Sequence, residues 1–553
     1  MAVNLEYDVI VIGSGAGGLT AAVALAQAGK KVLVLEQHDR PGGWTHSFTK
    51  HGYRFSPGVH YIGSLEEGGA LRRIYDGLGV SQDLVFCELN PEGYDHIYIG
   101  ERRVDFPRGR QNLLDRLKTH FPHEAAGIDS YFKAVDGMMD TIARLGDLNQ
   151  PANLGHTALG VPSLLKWMRL SGGDLIRSHV NDPILCGVLA GQAGDHGQPP
   201  SQVSAFIHAG IMRHYYEGAY YPRGGAFTIP RAFVQALKQA GGEIRLQARV
   251  SRILLERDRV LGVELETGEQ IRSQYVVSNA DPEVTFGTLV GRQHLPPRLR
   301  RKLDAVGYST SCLSLFFATD MDLRSAGLDS GNNWFYDHAD LDVIYSHGLT
   351  DALLRQESPP GMFLTVTTLK DPSKMYTSGP AAGQHTCEAF AFVSYAAFQA
   401  WAQSTHKTRP AEYEAMKEDL AWRMVRGLDK RLPGLKDHIS YFSLGTPLTN
   451  EHYLNATRGN LYGIAKTPDQ VGPWAFSTRS PFEGLYLCGA STLSHGVAGV
   501  TASGINAAKA ILHCREQDLL TQSGPGPVFL PAEQPATWPD QYRRRLEISE
   551  KEL

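Results

Sequence analysis

Apolar and polar positions follow one another along this chain in blocks of changing period, and the first block is the most regular. Residues 7 to 12, YDVIVI, form a near-continuous apolar run, the pattern of a parallel strand buried on both faces. The run leads into Gly13-Ser14-Gly15-Ala16-Gly17-Gly18, then a helix of small residues, and Lys31 to Leu35 repeats it as a second strand. Farther on, Leu113, Leu117 and Phe121 fall at helical spacing, and Pro410 to Arg431 gives a long helical pattern stopped at Leu432-Pro433-Gly434. Cys312–Phe317 and Met362–Thr368 read as strands. Arg231–Ala240 reads as a helix closed by Gly241-Gly242, followed by strands over 243–246, 250–255 and 260–265 with a turn at Arg257-Asp258-Arg259.

The first block carries chemistry as well as pattern. Gly13 allows the tight turn out of the strand, Gly15 lets the backbone approach a pyrophosphate, and Gly18 lets the helix pack on the sheet. The helix that follows aims its first amides at the phosphates. The second strand ends at Glu36, about twenty residues beyond the glycines, where a carboxylate accepts both ribose hydroxyls and a 2'-phosphate is disfavoured. Strand, turn, helix, strand and acid in order make a dinucleotide site, and no second fingerprint of this kind follows.

Composition narrows the rest. With 42% hydrophobic residues in 553 the chain can bury a large core, and its length suggests two or more domains. Its 54 basic and 58 acidic residues, net charge -4, leave no polybasic field for nucleic acid. The 6 cysteines are scattered, with no CxxC pair and no His/Cys cluster at zinc spacing, so reduced thiols and no metal site are expected. The chain reaches its first strand too soon for a secretory signal, and no run of about eighteen apolar residues occurs. A cytoplasmic location follows, with peripheral membrane contact as an added expectation: Gly160 to Ile176 interleaves Leu164, Leu165, Trp167, Met168 and Leu170 with Lys166 and Arg169. A core-facing amphipathic helix is the favoured reading of that stretch. The aromatics of Arg213 to Tyr221 are likewise read first as core, with the lining of an apolar tunnel as the alternative.

Several stretches resemble known flavoproteins. Arg40-Pro41-Gly42-Gly43-Trp44-Thr45 is similar to the second FAD contact of the amine oxidase and phytoene desaturase flavoproteins. Phe55 to Gly63, FSPGVHYIG, resembles the corresponding stretch of the retinol saturase branch of the carotenoid isomerase and phytoene desaturase family, as do the segments at 445–449 and 459–463. The VVSNADP ending at Pro282 and the strand at 484–490 leading to a small-residue helix complete the likeness, which runs to about residue 515. Ala490, where many related flavoproteins have an acid, agrees with the phytoene desaturase branch.

The resemblance implies an α/β fold: a Rossmann-like FAD-binding domain of the amine oxidase and phytoene desaturase type with an inserted substrate domain. The FAD domain is assigned residues 1–79, 222–290 and 441–515, the substrate domain 80–221 and 291–440, and 516–553 a flexible tail. FAD contacts are implied for Gly13, Ser14, Gly15, Ala16, Gly17 and Gly18, for Glu36 and Gln37, and for Arg40, Gly42, Gly43, Trp44 and Thr45. Val250 would meet the adenine through its backbone, and Gly489, Gly499 and Val500 would face the flavin, with a helix dipole at its pyrimidine. His60 and Tyr61, and then His495, are the candidates for proton transfer.

The implied activity is redox chemistry at carbon–carbon double bonds of an apolar isoprenoid or polyene. With a single fingerprint, NAD(P)H would act as reductant without a Rossmann site of its own, or an electron-donor protein would replace it. Two alternatives stay open on the same scaffold: an amine oxidase, and a prenyl-lipid carrier like the GDP-dissociation inhibitors.

Overall fold

The computed structural model describes residues 5–146, 166–348, 355–376, 379, 381–406 and 408–545. Strand Tyr7–Ile12 lies parallel between Val32–Leu35 and Gln270–Ser278. Leu485–Leu487 extends this parallel arrangement beyond Gln270–Ser278, and Glu243–Arg245 extends it beyond Val32–Leu35. The first half of Gln270–Ser278 also pairs antiparallel with Arg259–Leu265, and that strand with Val250–Glu256, which completes a seven-stranded sheet. Pieces from the start, middle and end of the chain therefore make one sheet.

Helix Ala16–Gln27 is buried at every residue from Ala16 to Ala26, packed between Thr228–Gln239 and Gly496–Leu512. Its small side chains permit the approach: a Cβ on Gly504 would stand 2.3 Å from the Gly17 carbonyl oxygen. Helix Thr228–Gln239 starts three residues before the sequence pattern indicated, because Pro230 sits inside the first turn, where a missing N–H costs nothing.

A second seven-stranded sheet runs in the order 439–445, 311–319, 385–393, 361–366, 332–336, 95–99, 102–106. Its strands are two-faced. Cys387, Ala389, Ala391 and Val393 join Leu364, Val366 and Phe335 in a core closed by helix Ala411–Arg431, while the alternate residues point the other way. A helical layer including Arg110–His120, Ala125–Gly146 and Ala205–His214 covers part of that second face.

Trp167 and Leu170 of the amphipathic stretch pack against this helical core; residues 160–165 lie outside the described residues. Tyr215, Tyr216, Tyr220 and Tyr221 are buried in the core and do not line the main cleft. Among the described residues no helix is long and apolar enough to cross a membrane.

The flexible tail expected from residue 516 is a correction. Val528–Pro531 pairs parallel with Val85–Glu88, Trp538 is 1% exposed, and Arg223 Nε donates to the Tyr542 carbonyl at 3.0 Å. A proline-rich average conceals a few large anchors: Leu530 and Trp538 bury fully against Cys87, and prolines are tolerated at a sheet edge. Residues 546–553 lie outside the described residues.

Candidate functional site

The main cleft begins at the carboxyl ends of the parallel strands, the usual ligand position in open α/β sheets. Ile12, Gly13, Gly15, Ala16 and Gly17 line it from the first strand–turn–helix, and Leu35, Glu36 and Gln37 from the second strand. Arg40, Gly42, Gly43, Trp44 and Thr45 close one side; Ala248, Arg249 and Val250 flank the Glu36 end; Gly489, Gly496, Val497 and Val500 form the opposite wall.

The turn is set around a side chain that sequence reasoning left unassigned. A Cβ on Gly15, Gly17 or Gly489 would lie 2.6, 2.8 or 2.9 Å from the Asn279 amide, so these glycines let Asn279 sit between turn and strand end. Asn279 stands directly after strand Gln270–Ser278, and its N–H donates to the Ile12 carbonyl at 2.9 Å. The quoted VVSNADP stretch was the available signal. Gly13 has φ +90°, a conformation that L side chains rarely adopt.

Gly18, Ser14 and Gly499 stand behind the lining, not in it. A Cβ on Gly18 would fall 2.2 Å from the Gly13 carbonyl oxygen, so this glycine shapes the turn from within. The Ser14 amide and hydroxyl donate to Glu36 Oε2 at 2.8 and 2.5 Å, and the Gly42 amide donates to Ser14 Oγ at 3.0 Å. Ser14 thereby fixes both the acid and the second loop. Gly499 makes room for Ser494 in the loop before its own helix. The His38 amide holds the other Glu36 oxygen at 2.9 Å.

These residues fit a flavin dinucleotide on an observation independent of motif. Helix Ala16–Gln27 has Gly15 at its N-cap and no side chain capping it, which leaves its first buried amides directed at the cleft as donors for a diphosphate. Glu36 is 7% exposed and faces the cleft beside them.

At the far end the wall changes character. Strands 332–336, 361–366 and 385–393 present their second face here, so Trp334, Phe363 and Phe390, paired across adjacent strands, form one aromatic row. Trp334 and Phe363 centroids are 4.5 Å apart, and His60 lies 4.6 Å from Phe390. Phe392, Tyr462, Asp195 and Gly194 complete this end.

Two residues before Phe390 on the same face, Glu388 is fully buried and accepts from the Ser56 amide at 2.6 Å and His60 Nδ1 at 2.9 Å. That bond assigns the His60 proton to Nδ1. Burial lowers the His60 pKa, against the raising effect of Glu388, so the ring is neutral near pH 7. Lys370 Nζ donates to the His60 carbonyl at 2.6 Å and to Asn332 Oδ1. Burial pulls its pKa down to about 7.

Of the other proton-transfer candidates, neither lines the cleft. Tyr61 stacks on Tyr215 at 4.3 Å and donates to Asp195 Oδ2 at 2.6 Å, its own ionisation pushed far up by burial. His495 caps no helix through its side chain; its Nε2 meets the Asp195 carbonyl at 2.5 Å, and burial holds its pKa down at about 3. A neutral imidazole tied to a backbone oxygen is a latch between loop and helix.

The pattern of the family described as flavin containing amine oxidoreductase matches residues 16–512. An all-trans-retinol 13,14-reductase of Danio rerio is 32% identical over 531 residues, spanning 92% of this chain and 86% of the relative. A chloroplastic prolycopene isomerase of an Oncidium hybrid cultivar is 29% identical over 518 residues, 90% of this chain and 83% of that one. A solved oxidoreductase from Methanosarcina mazei superposes with a TM-score of 0.61 at 16% identity, covering 92% of this chain and 100% of its own. This last likeness concerns the fold.

Proposed function

Because the chain belongs to the flavin containing amine oxidoreductase family, for which FAD is the implied cofactor, we propose that it is an FAD-dependent oxidoreductase acting on carbon–carbon double bonds of a long apolar polyene. The observation that carries the substrate class is the aromatic row of Trp334, Phe363 and Phe390 at the end of the nucleotide cleft. A conjugated chain stacks favourably on such faces. The relatives named for retinol and prolycopene, both polyenes, support the same class.

In this reading FAD, when bound, supplies hydride exchange with a substrate carbon. The chain's own residues do the rest. The amides of Ala16 and Gly17 and the loop at Gly42 and Gly43 hold the diphosphate, Glu36 accepts the ribose hydroxyls, and Val250 flanks the adenine. Trp334, Phe363, Phe390 and Phe392 orient the polyene and exclude water. The buried Glu388 fixes the His60 ring at the edge of that apolar floor. NAD(P)H acting without a Rossmann site of its own, or an electron-donor protein, would supply the electrons. Peripheral contact with a membrane surface would deliver the substrate.

The test is to purify the protein, record its flavin spectrum, and mix the anaerobically reduced form with all-trans-retinol or prolycopene. The expected result is a bound flavin and a saturated or isomerised polyene, desaturation requiring the oxidised flavin instead. A protein that stays colourless with added FAD, or that is bleached by small primary amines but converts neither polyene, overturns the proposal. Bleaching by micromolar NADPH alone would identify the nicotinamide as direct donor.

A further inference from the structure

Gly194 and Asp195 belong to a short turn, Ala193–His196, pressed against the aromatic row. A Cβ on Gly194 would come within 2.2 Å of the Trp334 ring and 3.2 Å of Phe392, so the missing side chain lets the next residue reach the cleft. The turn is pinned on every side. Tyr336 donates to the Gly191 carbonyl at 2.7 Å, Tyr345 to the Ala193 carbonyl at 2.5 Å, and His495 meets the Asp195 carbonyl. With the backbone held, the Asp195 carboxyl has one fixed partner, the Tyr61 hydroxyl on Oδ2. Oδ1 is left to the cleft, where Asp195 is the single aspartate among the lining residues of the aromatic end.

Resting on the polyene reading above, we propose that Asp195 is the carboxylic acid that exchanges a proton with the substrate carbon adjoining the one that exchanges hydride, and that Tyr61 is its positioning residue. In the reductive direction the O–H bond at Oδ1 breaks and its proton forms a C–H bond with one alkene carbon. FAD held in its reduced form at the glycine turn would supply the hydride for the other C–H bond, so that loss of the π bond is balanced by the flavin's two electrons. The carboxylate that remains keeps the Tyr61 hydroxyl as donor. Desaturation reverses each transfer.

The surroundings agree with an acid held protonated. Burial, together with the charge of Asp95 and against the Tyr61 bond and Lys370, raises the Asp195 pKa to about 7. Tyr215, Tyr336, Tyr345, Tyr462 and neutral His495 are the other titratable groups around it. Asp95 does not compete for the role: it is fully buried and accepts from Asn332, Gln192 and Trp334 at 2.9, 2.8 and 3.0 Å. Nor does His60, whose single ring proton is engaged by Glu388.

The experiment uses the FAD-loaded full chain and its variants Asp195→Asn, Tyr61→Phe and His60→Gln. Infrared absorption should show a protonated-carboxyl band that titrates near pH 7, vanishes in Asp195→Asn, persists in His60→Gln and moves to higher pH in Tyr61→Phe. Asp195→Asn should retain FAD while converting all-trans-retinol or prolycopene ~10²-fold or more slowly. Loss of the same band in His60→Gln but not in Asp195→Asn, its absence from the wild type, or a loaded Asp195→Asn with wild-type turnover overturns the assignment. A wild type that carries the band but oxidises only amines would sink the polyene reading while leaving Asp195 as the protonated acid of the site.

Discussion

The two ends of the cleft are made of different materials. At the nucleotide end the phosphate turn presents backbone, where Gly13, Gly15, Gly17 and Gly489 crowd around Asn279 and a buried helix start offers bare amides. At the aromatic end the surface is almost entirely side chain, projected from strands 332–336, 361–366 and 385–393. A backbone surface recognises what every FAD shares and has no spare volume. A side-chain surface can be reshaped ring by ring without moving the sheet beneath it, which is how one scaffold takes different substrates.

The largest effect should come from adding one carbon at the backbone end. Gly18→Ala places a methyl 2.2 Å from the Gly13 carbonyl oxygen, a clash no rotamer relieves. It should cost about 3 kcal/mol or more and leave little FAD-loaded protein, read by denaturant unfolding and flavin content. Full flavin loading in this variant would break the contrast between the two ends.

Glu36→Ala comes next. It removes the acceptor of three hydrogen bonds, from Ser14 N, Ser14 Oγ and His38 N, so both the ribose contact and the loop geometry suffer. FAD should bind about tenfold more weakly or worse, equivalent to about 1.4 kcal/mol, in a fluorescence titration. Phe390→Ala at the other end should leave flavin content unchanged and raise KM for the polyene, with about 1 kcal/mol of stability lost from its ring contacts. If it expels FAD instead, the ends are not independent.

A pH-dependent effect concerns Lys466, buried and donating to the Ala490 carbonyl. Burial lowers its pKa from 10.5 to about 7. Between those values the unfolded chain holds a proton that the folded protein lacks, so this group makes stability rise with pH across that window. Lys466→Met should remove its share of the rise, leaving that of Lys370 and Lys374, when unfolding midpoints at pH 7 and pH 9 are compared with the wild type.

The same division explains what could be read from the sequence. Gly13 to Gly18, Glu36 and the Gly42-Gly43 loop are contiguous, and each glycine answers a local steric demand, so order and spacing disclose them. The strands 311–319 and 361–366 and the helix 411–431 were visible through their periods. Trp334, Phe363, Phe390 and Asp195 lie far apart in sequence; cross-strand register brings the three aromatics together, and the turn Ala193–His196 carries Asp195 to them. An aromatic on a buried strand looks the same whether it faces a core or a cleft. His60 and Tyr61 show the limit from the other side: adjacent on an extended chain, they point apart, so His60 reaches the cleft and Tyr61 supports Asp195 from behind.

One consequence of the sheet order concerns how the protein is made. Tyr7–Ile12 and its glycine turn are synthesised long before Gln270–Ser278 brings Asn279, Leu485–Leu487 closes the strand beside it, and Gly504 seats helix Gly496–Leu512 on Gly17. A ribosome must therefore release nearly the whole chain before the cofactor cradle exists. Until then the apolar strand Tyr7–Ile12 lacks its partners and is exposed to aggregation.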